Sequence, residues 1–141
     1  MRHALAPLAL ALPLLLAGPP APAQEAAPVS LELNKLEDQS GNCRVYLVFN
    51  NKSAEGYEGL KLDLVLFGQD GVVSRRLALE AGPLRAAKTT VKLFEVAGLP
   101  CPAIGQVLLN DVTDCKSAGK EIADCLPRLA VNSRTSVPLV K

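Results

Sequence analysis

The chain of 141 residues is 49% apolar and 21% charged, with 15 Lys and Arg against 14 Asp and Glu. Its single histidine is His3, its single methionine is Met1, and it has no tryptophan. With no imidazole beyond residue 3 and no excess of cations, the composition excludes an imidazole metal centre, a Ser/His/Asp or Cys/His nucleophile system, and the basic surface that nucleic acid or anionic lipid requires.

Residues 1–23 read as a cleaved signal peptide. Arg2 gives a positive start, residues 4–17 (ALAPLALALPLLLA) give an apolar stretch of suitable length, and Ala21-Pro22-Ala23 has the small-x-small pattern of a cleavage site. A membrane anchor needs about 18 or more consecutive apolar residues, whereas Pro7, Pro13 and Gly18-Pro19-Pro20 interrupt this stretch. Arg2-His3 is not a twin arginine, which points to the general export route. Removing 23 of the 141 residues leaves 118, and because Arg2 leaves with them the mature chain is formally neutral, 14 against 14. The expected location is the periplasm, with no membrane-spanning segment. Residues 24–28 form a flexible Pro/Ala-rich leader, and 29–141 form a single domain.

Within that domain, short apolar stretches alternate with period two between turn signals. Val29, Leu31 and Leu33 alternate with Ser30, Glu32 and Asn34; residues 36–42 are polar and end in the turn Ser40-Gly41-Asn42. Cys43, Val45, Leu47 and Phe49 share one face of a second strand, opposite Arg44, Tyr46, Val48 and Asn50. A polar loop follows over 51–59, in which Asn51-Lys52-Ser53 fits a glycosylation acceptor, relevant only in eukaryotic secretion. Leu60, Leu62, Leu64 and Leu66 mark a third strand, and Gln69-Asp70-Gly71 is a hairpin turn that folds 72–80 back antiparallel. Ala81-Gly82-Pro83 breaks that fourth strand, and residues 88–96 and 104–112 supply the fifth and sixth. In the tail, Ser117 caps a short helix over 120–126 stopped by Pro127, and 136–140 adds an edge strand limited by Pro138. The expected fold is all-β: an immunoglobulin-like antiparallel β-sandwich of six to seven strands, with a short C-terminal helix and two disulfides.

The four cysteines, Cys43, Cys101, Cys115 and Cys125, allow three pairings in an oxidising compartment. A strand of nine residues between Cys101 and Cys115 would span about 30 Å at roughly 3.3 Å per residue, far beyond the ~7 Å that bridged Cα atoms tolerate. That disfavours 101–115. If strands alternate in direction, the second and sixth begin at the same end, which ranks 43–101 with 115–125 first and 43–115 with 101–125 second. No Cys-x-x-Cys spacing and no histidine support a zinc site.

The segments CRVYLVFNN (43–51), LKLDLVLFGQDGVVSRRLALEAGPL (60–84) and KTTVKLFEV (88–96) resemble bacterial extracytoplasmic immunoglobulin-like modules, in which a strand ending in Asn-x-Ser precedes one ending at an Asp-Gly turn. With IGQVLLNDVTDC (104–115) added, the chain resembles a family of small secreted proteobacterial proteins often labelled "Tat pathway signal sequence domain protein". The resemblance implies a fold and an exported location. It carries no catalytic motif and no functional residue, and the twin arginine of the label is missing here.

One candidate site stands out: Tyr46 and Val48 on the second strand with Val65 and Phe67 on the third, all opposite the inferred core. They are expected either to form an exposed partner-binding patch or to be covered by Ile122 and Leu126 of the tail helix. Asn110, Asp111 and Asp114 offer oxygen atoms for calcium, though such residues at a strand end more often satisfy turn backbone. Arg75 and Arg76, with Arg44 and Lys61, make a basic strip only if adjacent strand residues shared a face, which they do not. Lys88, Lys92 and Ser117 suggest no lysine-serine dyad. The expected function is a non-enzymatic periplasmic interaction or accessory module of a bacterial envelope system, with a protein partner and neither cofactor nor nucleic acid. The alternative is a small-molecule or metal carrier, binding copper through thiols if the cysteines are unpaired.

Overall fold

Apolar alternation resolves into nine strands in the structure, a computed structural model that describes residues 18–20 and 27–141. The expected signal peptide, apart from residues 18–20, and residues 24–26 of the expected leader lie outside the described residues. The strands are β1 (Val29–Gln39), β2 (Asn42–Asn51), β3 (Gly59–Phe67), β4 (Val73–Glu80), β5 (Lys88–Val96), β6 (Gln106–Ser117), β7 (Lys120–Glu121), β8 (Leu129–Ser133) and β9 (Leu139–Val140). They form two sheets, ordered β5-β2-β1-β8 and β4-β3-β6-β7, with β9 also paired to β6. The molecule is thus an all-β sandwich, as its pattern requires. Its sheets are mixed rather than purely antiparallel, because β8 runs parallel to β1 and β9 parallel to β6. Among the described residues no helix is long and apolar enough to cross a membrane.

The inward rows meet between the sheets. Leu31 and Leu33 of β1 and Leu47 and Phe49 of β2 face Leu62 and Leu64 of β3, all at most 1% exposed. Turn chemistry sets the hairpins. Ser40 and Gly41 both have positive φ (50° and 88°) at the β1–β2 turn, and Gly71 (77°) closes β3–β4, where the Gly68 N–H donates to the Val72 carbonyl at 2.8 Å. From β2 the chain crosses to the other sheet through a loop pinned by Asn51. Its amide donates to the carbonyls of Glu55 (2.7 Å) and Arg85 (3.1 Å), and its Oδ1 accepts from the Ser53 hydroxyl at 2.7 Å. Asn51 is 1% exposed with its amide fully engaged, so the predicted glycan acceptor is a buried loop anchor.

Three expectations from the sequence are corrected. First, β1 continues through residues 36–39, read as a polar segment ahead of the turn Ser40-Gly41-Asn42, because a register shift between Leu33 and Lys35 resets the alternation and the pairing runs on to Gln39↔Asn42. Second, β6 does not end at Val112 but runs on to Ser117, so Cys115 is a strand residue. Third, there is no helix over 120–126. Ala118 and Gly119 take positive φ (51° and 71°) and form a two-residue hairpin turn, pairing Ser117 with Lys120. The Ser117 hydroxyl donates to the Gly56 carbonyl at 2.6 Å instead of capping a helix, and the Gly119 N–H donates to the Glu58 carboxylate at 2.8 Å. Helical geometry in the tail is confined to a 3-10 turn, Leu126–Arg128.

The preferred disulfide pairing holds. Cys43, at the start of β2, is bonded to Cys101 in the 3-10 turn Cys101–Ala103 just before β6, with Cα atoms 4.7 Å apart. Cys115 in β6 is bonded to Cys125, Cα to Cα 6.3 Å, tying the tail back to the sheet. Asp38 at the end of β1 accepts the Cys101 N–H at 3.0 Å, so the first link is also held by a charged hydrogen bond.

Candidate partner-binding face

The four residues predicted to form one patch are split between the two faces of the sandwich. Tyr46 and Val48 belong to β2 in the first sheet, Val65 and Phe67 to β3 in the second. Outward faces of opposed sheets point away from each other, so no single surface holds all four. The predicted cover is absent as well: Ile122 and Leu126 pack against the core cluster rather than over an outer face.

On the first sheet the surface is completed by residues the sequence did not single out. Tyr46 pairs with Leu93 and Val48 with Val91 on the edge strand β5. Leu93 is 52% and Val91 55% exposed, whereas the inward residues of β2 that flank them, Val45, Leu47 and Phe49, are buried. The result is a two-by-two apolar strip. Its rim is charged but internally paired. Arg44 donates to Glu95 at 2.7 Å, the Tyr46 hydroxyl donates to Glu37 at 2.6 Å, and Lys35 lies 3.4 Å from Glu37 with its ammonium 5.3 Å from the centre of the Tyr46 ring. The Tyr46 hydroxyl, with Lys35, holds the Glu37 carboxyl below the usual carboxylate range, and Glu95 raises the Arg44 guanidinium. At the other end Glu32 is drawn towards β8 by Asn132 (2.9 Å) and Arg134 (2.9 Å). The charges beside the strip, Arg44, Glu95, Lys35, Glu37 and Glu32, are thus each paired, and an apolar partner surface meets it without stranding one of them.

The outward face of the second sheet is built differently. Asp63, 7% exposed, accepts two parallel bonds from Arg76 (2.8 and 2.9 Å) and a third from Asn110 at 2.7 Å. Val65 lies between Arg76 and Leu108 in the sheet and is only 9% exposed. Phe67 pairs with Val73 beside the hairpin turn, where Val72 and Val73 are 62% and 57% exposed. Arg76, then Asn110, hold the Asp63 carboxyl below its ordinary range. Because the folded value is depressed, the stabilisation is present above the unfolded value of about 3.9 and is lost as pH falls through the lower folded value. Asp63→Asn should accordingly be less stable than the natural chain at about pH 7, with the gap narrowing at about pH 3. Urea midpoints of both proteins at each pH measure this, and a gap that does not change with pH would contradict it.

The remaining candidates from the sequence disperse. Asn110 is bonded to Asp63, Asp111 accepts the Val112 N–H at 2.8 Å, and among the described residues no group of three or more His, Cys, Asp or Glu is placed to hold a metal ion. Arg44 and Lys61 sit on different sheets, and Arg75 and Arg76 point to opposite faces of β4. The concavities are open notches. One of about 480 Å³ is lined by Asn34, Leu36, Asp38, Pro102, Ile104 and Val137, and its carboxylate is already engaged by the Cys101 N–H.

These features define a disulfide-linked two-sheet β-sandwich with an apolar strip on an outer face beside an open sheet edge. No protein-family model matches the chain, and no curated protein matches its sequence. Among solved structures it is similar to the one titled "Structural characterization of IrmA from Escherichia coli", at 15% identity and a TM-score of 0.56, over 73% of this chain and 89% of that chain. At that identity the likeness is one of fold.

Proposed function

We propose that the chain is a non-enzymatic interaction module exported to the bacterial periplasm, an accessory of an envelope system that engages a protein partner through the outer face of β2 and β5. The observation that carries this reading is the strip itself: Val91 and Leu93, each more than half exposed, stand in register with Val48 and Tyr46, and the charges beside them, Arg44 with Glu95 and Lys35 with Glu37, are paired. A large apolar side chain left in water forgoes stabilisation that burial would supply, and several together mark a contact surface. Two disulfides in so short a domain fit an oxidising compartment, and the apolar start with Ala21-Pro22-Ala23 fits export. The thiol or copper carrier is the weaker reading, because all four sulfurs are joined in disulfides and offer no thiolate.

Val91→Asp with Leu93→Asp should leave the fold intact, changing stability by under about 1 kcal/mol, because both side chains already face water. The same pair should abolish retention of the proteins that the natural chain holds from a periplasmic extract. Val72→Asp with Val73→Asp, beside the turn of the opposite sheet, should retain them. A folded Val91→Asp, Leu93→Asp protein that keeps every retained partner would overturn the reading.

A further inference from the structure

The outward row of β5 is also the row whose backbone is unpaired. The Lys52 N–H donates to the Pro28 carbonyl at 3.0 Å, towards β1. Backbone groups of successive strand residues address opposite neighbours, so Arg44, Tyr46, Val48 and Asn50 address β1 and the residues between them address β5. Their β5 partners are Lys88, Thr90, Lys92, Phe94 and Val96. It follows that Thr89, Val91, Leu93 and Glu95 direct both N–H and C=O off the edge of the sheet. The strand is nine residues long, contains no proline, pairs with β2 without a bulge and has no other sheet neighbour among the described residues. Such an edge is a template for strand addition.

The side chains of β5 select what can add. Its inward row holds Lys88 and Lys92 and no carboxylate, and among the described residues Lys92 reaches only the Gly82 carbonyl, at 3.4 Å. Arg75 of β4, the edge strand of the other sheet, also points inward. A second copy is disfavoured. The antiparallel register that uses all nine residues is centred on Lys92, and it would set Lys92 directly against Lys92, a destabilising arrangement. We propose that β5 receives an extended segment of the protein partner, antiparallel, with apolar side chains beside Val91 and Leu93 and a carboxylate opposite Lys92. The proposal rests on the partner-face reading above and gives it a binding mode.

The probe is a capped nine-residue peptide, Thr-Val-Thr-Val-Glu-Val-Thr-Val-Thr, with a counterpart carrying Lys at the central position. The Glu peptide should bind the full disulfide-bonded protein at least about ten-fold more tightly than the Lys peptide. Hydrogen exchange should slow at the amides of Thr89, Val91, Leu93 and Glu95. Lys92→Thr should erase the preference between peptides. Val91→Pro removes an edge N–H without touching the β2 ladder and should abolish binding; Thr89→Pro serves the same purpose if that variant misfolds. Equal binding of the two peptides, protection elsewhere, or binding indifferent to proline would overturn strand addition. So would a dimer, seen by sedimentation without peptide, that Val91→Pro dissolves, since it would assign the edge to a second copy. If strand addition fails while Val91→Asp with Leu93→Asp still abolishes partner retention, the face reading stands and only the mode falls.

Discussion

Replacing Cys43 and Cys101 together by alanine should lower the unfolding free energy by about 4 kcal/mol, whereas removing the Cys115–Cys125 link should cost about 3 kcal/mol. The difference follows from the chain enclosed. The first link spans 58 residues and the second 10, and a longer closed loop removes more freedom from the unfolded chain. Urea midpoints for the two double variants measure this. A larger loss from the short loop would show that the tail, not the junction between sheets, is the main staple. For a domain whose whole stability is of order 10 kcal/mol, either loss is large.

Phe49→Ala should be comparably severe, at about 3 to 5 kcal/mol, because it removes a large ring from a fully packed site. Phe49 is 0% exposed on the inward row of β2, opposite Leu31 of β1 and Thr90 of β5. The adjacent strand gives an internal control. Val91, one residue beyond Thr90 but on the outward row, should tolerate alanine within about 0.5 kcal/mol. Denaturant titration of both variants checks the contrast, and similar losses would mean that the outward strip is buried by a contact within the fold.

Where alternation is strict and the turns carry their own chemistry, the fold was legible in the sequence. Residues 88–96 coincide with β5, and the Leu60, Leu62, Leu64, Leu66 row with the Asp70-Gly71 turn located β3 and β4 to within a residue. Alternation failed where a bulge interrupted it. The register shift after Leu33 puts Leu36 out of phase, so the charged second half of β1 does not read as strand, although the turn that follows it at Ser40-Gly41 does read as a turn. It failed again at Ser117, which has the residue type of a helix cap but sits at a hairpin whose turn is set by the backbone of Ala118 and Gly119. The candidate site was half legible for a more general reason. Alternation tells which side chains share a face of one strand, but not which sheet the strand joins. β2 and β3 are consecutive in sequence yet lie in opposed sheets, so Tyr46 and Val48 were separated from Val65 and Phe67. Val91 and Leu93 escaped notice because both rows of 88–96 mix apolar and polar residues. Only the register Tyr46↔Leu93 and Val48↔Val91 shows which row is outward.

The most direct test of the partner face is photocrosslinking in cells that export the chain, with a photoreactive residue placed in turn at Leu93, at Val73 and at Lys120. A discrete adduct with another protein is expected from Leu93, lost on adding Val91→Asp, and none of the same mass from Val73 or Lys120. The same adduct from all three positions, or its absence from Leu93 alone, would contradict the account.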